Sequence, residues 1–93
     1  MKDVYIIKSI TNFNGDSIEE RSRWINTNIL IEHLEIGYRA VFTEVIECDN
    51  GFVHKLPARF INTSGVEHKQ EIEDGFLIAT YSGTCYELQR ILL

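Results

Sequence analysis

The chain has 93 residues, 44% of them hydrophobic and 11% aromatic, enough for one domain with a core and too few for a second. Nine basic against fourteen acidic side chains give a net charge of −5, which argues against a face built to displace counterions from duplex nucleic acid. No apolar run reaches the roughly 20 residues that cross a bilayer, and Asp3 breaks the basic and apolar start of a signal peptide, so a cytoplasmic protein is expected.

Residues 3–11 are rich in β-branched side chains. Val4, Ile6 and Ile10 fall on one face and Tyr5 and Ile7 on the other, the pattern of a strand covered on both sides. Asn14-Gly15 follows, and both residues tolerate positive φ, so a hairpin is predicted there. Residues 16–36 admit two readings. Ser17-Ile18-Glu19-Glu20 fits a capping box that opens a short helix, or the same stretch is the polar return strand of the hairpin. Asn28 is placed to cap a short helix over Ile29 to Glu35, closed by Gly37. The reading preferred is a return strand and then a short helix.

Residues 38–48 are aromatic and β-branched. Tyr38, Val41, Phe42 and Val45 also fit a helical stripe, but the β-branched content and the Asp49-Asn50-Gly51 turn decide for a strand. Residues 52–60 alternate, with Phe52, His54, Leu56, Ala58 and Phe60 facing one way, and Pro57 marks an edge or a bulge. Asn62-Thr63-Ser64-Gly65 reads as a loop, and Glu67 to Asp74 as an exposed edge or turn. Phe76 to Tyr81 is apolar on both faces and reads as the central strand. Ser82-Gly83 then turns the chain into a last strand with Tyr86, Leu88 and Leu92 along one side. The fold expected is mainly β: a small barrel or strongly twisted antiparallel sheet of five to seven strands, with one or two short helical turns.

Few residues are spaced for chemistry. Cys48, Cys85, His33, His54 and His68 include no pair at the spacing that aims two ligands at one ion, so no metal or cofactor is expected. Cys48 reads as a buried apolar residue and His54 as partly exposed. Two cysteines do not make a disulfide framework, although one bridge is open if their strands are adjacent. Cys85 has no neighbouring cation to hold it as a thiolate, and no strand-to-helix elbow presents a nucleophile. The acids Glu19 and Glu20, Glu44 and Glu47, and Glu71, Glu73 and Asp74 lie on charged stretches where solvation keeps a carboxylate ionised. Glu44 is the exception, on the row of Phe42 and Ile46, and reads as a barrel rim or bend. No phosphate-binding glycine loop occurs. A non-catalytic protein is expected.

Binding is the remaining class. Arg21-Ser22-Arg23-Trp24 joins the two residue types most often found at interface hot spots, so Arg21, Arg23 and Trp24 are candidate contacts, against the plainer reading of Trp24 in the core and the arginines paired with adjacent glutamates. Glu67, Glu71, Glu73 and Asp74 are a second, acidic candidate, and such rows can imitate phosphates in a basic groove. Residues 52–60 offer an edge for self-association. A small-molecule or nucleotide pocket in a barrel mouth near His54, Tyr81 and Tyr86 is the alternative, and a single-strand nucleic-acid binder of the OB kind is the third reading.

Thr63-Ser64-Gly65-Val66, followed by Thr80-Tyr81-Ser82-Gly83-Thr84-Cys85-Tyr86-Glu87-Leu88, resembles a pattern of small β-rich accessory proteins of phages and mobile elements. The likeness covers the last third of the chain. Thirteen isoleucines, six asparagines and one proline suit an AT-rich genome. The resemblance implies a protein that acts by binding a host factor, such as a defence nuclease, and brings no catalytic residues with it.

Overall fold

The computed structural model describes residues 3–91. Their β-branched and aromatic segments form seven strands: β1 (Val4–Asn12), β2 (Asn28–Glu32), β3 (Arg39–Cys48), β4 (Gly51–His54), β5 (Phe60–Ile72), β6 (Gly75–Thr80) and β7 (Thr84–Arg90). A 3-10 helix, Glu19–Trp24, lies between β1 and β2. All the ladders are antiparallel. β1 pairs with β2, β2 with β3, β3 with β5, β5 with β6, β6 with β7, and β7 with β1, so six strands close into a barrel. The fold is mainly β as expected from the sequence, and of the two forms expected, barrel or twisted sheet, it is the barrel. At the closing seam the Ile91 N–H donates to the Val4 carbonyl at 2.8 Å, just beyond the last paired residues.

Three register shifts bend the strands. Lys8 is an extra residue in β1 opposite β7; Glu67 is one in β5 opposite β6, and a further shift lies where β5 passes Ala40 of β3. Each extra residue breaks the ladder locally, kinks the strand and increases its twist, which a six-stranded barrel needs in order to close. It also reverses the side-chain alternation. Ile7 and Ile10 therefore both enter the core, where the sequence reading placed them on opposite faces. At the middle shift the Thr63 hydroxyl takes over the ladder's work: Oγ1 accepts the Ala40 N–H at 2.9 Å and donates to the Ser64 carbonyl at 2.7 Å. The polar stretch 62–65 is thus the interior of a strand, and the Thr63 hydroxyl serves a bulge instead of a loop.

The barrel interior is filled from every strand of the ring, with Ile7, Ile29, Phe42, Val66, Ile78, Tyr86 and Leu88 fully enclosed. Phe42 and Tyr86 meet edge to face, ring centroids 5.2 Å apart. Close packing fixes one glycine: a methyl group at Gly75 would lie 2.0 Å from the Leu88 carbonyl oxygen.

Residues 16–36 depart most from expectation. The Asn12 side-chain oxygen accepts the amides of Asn14 and Asp16, and Gly15 turns at φ +86°. The return pairing ends after one bridge, Thr11 to Ser17, because the chain then coils to bring Trp24 inward. Ile18, with no side-chain cap, precedes that helix, so Ser17 opens no capping box. Asn28 starts a strand and no helix: β2 fills the gap between β1 and β3, and burying Ile29 there outweighs the local capping signal.

β3 runs past the barrel. Its segment Val45–Cys48 pairs with β4 across the Asp49-Asn50 turn, forming a two-stranded arm. The strand expected over 52–60 ends at His54; a cis Leu56-Pro57 bond lies in the return to β5. Residues 67–72, expected at an edge or turn, pair with β6, and the turn proper comes at Asp74, φ 57°. Cys48 is exposed near the arm tip, because its strand has left the core, and neither cysteine is bonded. Leu92 lies outside the described residues.

Candidate functional site

A 3-10 helix has three residues per turn, so side chains three apart share a face. In Glu19–Trp24 that spacing sends Arg21 and Trp24 inward together and leaves Arg23 in solvent. Trp24 joins the core cluster. The structure thereby places it as the floor of a surface feature and removes it from the rim. Arg21 Nη1 donates to the Tyr86 hydroxyl at 2.8 Å. Burial pushes the Tyr86 phenol above its ordinary value, and the Arg21 charge and hydrogen bond pull it part of the way back.

Above Trp24 the Arg59 guanidinium stands 4.8 Å from the ring centroid, a cation–π contact. Arg59 Nη1 is 3.4 Å from Glu44 Oε1, and Lys55 Nζ is 3.8 Å from Glu44 Oε2. Glu44 falls on the interior row with Ala40 and Phe42 at the last rung before the arm, where it is 9% exposed. Its Oε1 makes no hydrogen bond among the described residues, so Arg59 compensates that buried oxygen by charge alone. Glu44 is the barrel-rim residue its row in the sequence suggested.

Between the helix and the start of β5 lies a polar groove of about 420 Å³, lined by Glu20, Arg21, Arg23, Trp24, Phe60, Ile61 and Asn62. Arg23 forms no ion pair within 4 Å among the described residues. Phe60, on the opposite wall, is 57% exposed. A free guanidinium facing an exposed ring over a fixed floor suits a carboxylate or phosphate beside an apolar group. Nothing in the groove supplies a nucleophile with a base.

The other candidates are dispersed. Glu67 pairs with His68 at 3.7 Å, while Glu71, Glu73 and Asp74 are exposed around the β5–β6 turn. His54 is on the arm, Tyr81 is exposed at the β6–β7 turn, and Tyr86 is inside the barrel, so the three do not form one pocket. A hollow the sequence reading missed lies on the outer sheet face. Ladder register aligns Thr11, Cys85, Ala79 and His68 in one row and Ser9, Glu87, Leu77 and Gln70 in the next, around about 250 Å³. These small and polar residues come from four strands, and no local pattern announces their meeting.

Among the described residues no three His, Cys, Asp or Glu side chains are grouped to hold a metal ion. No helix among them is long and apolar enough to cross a membrane. Compared with protein-family models, curated proteins and solved structures, the chain matches none.

Proposed function

We propose that this protein is a non-catalytic binding module that engages a partner protein through the groove beside the 3-10 helix. The observation that carries the reading is a groove lined by Arg23, which forms no ion pair among the described residues, and by exposed Phe60, over a floor fixed by Trp24, Arg21 and Tyr86. Arginine and aromatic side chains held on a rigid base lose little entropy when a partner docks, the usual character of a hot spot. The partner's complementary feature is an acidic side chain beside an apolar one. The exposed Glu71, Glu73 and Asp74 corner is a second, weaker contact for basic side chains. The resemblance in the last third of the chain supports a setting in which a phage or mobile-element protein acts in the host cytoplasm, on a factor such as a defence nuclease.

Affinity capture from a host lysate, with nucleic acid removed, tests this when run in parallel on the wild type and on Arg23→Ala/Phe60→Ala. One stoichiometric host protein, retained at least about tenfold less by the double variant at unchanged melting temperature, is the expected result. Equal retention by both forms would remove the groove from the interaction.

A further inference from the structure

β4 ends the order of strands, and among the described residues nothing pairs with its outer edge. The Lys55 N–H donates to the Glu44 carbonyl, so Lys55 and, by the alternation of an antiparallel ladder, Val53 and Gly51 turn their backbone groups toward β3. Phe52 and His54 therefore turn theirs outward. An edge of this kind is a template for another strand.

From this geometry we infer that β4 pairs antiparallel with β4 of a second copy of this chain, about a two-fold axis through Val53. Three features of the arm are self-complementary in that register. Phe52 of each copy stands opposite His54 of the other, so the outward amides and carbonyls of both residues are satisfied. Ile46 and Val53 are cross-strand neighbours, exposed by 45% and 47%. The axis joins the two valines and produces one apolar row of Ile46, Val53, Val53 and Ile46 across both molecules, where each copy alone leaves half a row in water. Finally, Lys55 of one copy falls opposite Gly51 of the other, two residues from the acidic tip at Asp49, so a lysine shared with its own Glu44 approaches the partner's acid, and the axis repeats the approach. A foreign strand would need to match all three. The arm projects beyond the ring, so this pairing leaves the barrel undisturbed and does not depend on the groove.

The test is sedimentation equilibrium of the full chain from about 1 μM to about 1 mM, a span that reaches weak dimers. Two variants address the edge separately. Val53→Lys brings like charges together at the axis. His54→Pro removes an outward N–H and no bond to β3. The wild type is expected to dimerise reversibly, and each variant to weaken the dimer at least about tenfold while its melting temperature holds. A wild type that stays monomeric over the whole range overturns the inference, as does a dimer that both variants leave unchanged.

Discussion

The Tyr86 phenol is held above its ordinary value of 10.0 by burial, and Arg21 offsets part of that shift. The folded chain thus keeps the phenolic proton at pH values where the unfolded chain releases it. The resulting stability is whole below about pH 10 and is lost as pH rises further. Melting temperature is expected to change little from about pH 7 to 9 and to fall above about 10, with a shallower fall in Tyr86→Phe. Thermal melts across that range decide it. The two arginines give a second contrast. Arg21→Ala leaves the Tyr86 hydroxyl buried without its donor and should cost about 1–3 kcal/mol, whereas Arg23→Ala should stay within about 0.5 kcal/mol. Denaturant unfolding of both variants measures the difference. The cluster itself was visible in the sequence, but the division of labour within it was not. Strand spacing puts Arg21 and Arg23 on one face; three residues per turn pairs Arg21 with Trp24 instead.

Among the strands, alternation served well where the ladder is regular and failed at the bulges. Tyr86 and Leu88 in β7, read as lying along one side of the strand, do share a side, and both are buried. Ile7 and Ile10 were separated, since the extra Lys8 between them carries no mark of its own. Likewise Thr63 looks like a loop residue because its hydroxyl stands in for a ladder bond. The β6–β7 pair shows how tight the regular ladders are. Gly75→Ala forces a methyl group against the Leu88 carbonyl, and the strands must separate to admit it. A loss of about 3 kcal/mol or more is expected, read as a lower denaturant midpoint with far-ultraviolet dichroism to follow the sheet.

For the molecule as a whole, the short β-branched and aromatic segments between turn residues already pointed to a small barrel or a twisted sheet. The choice between them rests on β1 meeting β7, residues from opposite ends of the chain, which no local pattern encodes. Closure should also grade the molecule's protection. Amides of Ile78 and Leu88 are expected to exchange with deuterium only through global unfolding, and those of Phe52 and His54 by orders of magnitude faster in the monomer. Residue-resolved exchange at low protein concentration checks this. In the dimer the Phe52 and His54 rates should slow. That change would report self-pairing independently of mass.

The seam between β1 and β7 also gives the barrel a mechanical character. Val4 and Ile91 lie at the same end of that ladder, joined by the 2.8 Å hydrogen bond. Tension applied between these two positions acts across the strands and opens one rung at a time, like a zip. Tension between positions 4 and 84 runs along the strands and loads every rung of the seam together. Pulled at Val4 and Ile91, the barrel should therefore yield at low force, although no edge of that seam is open at rest.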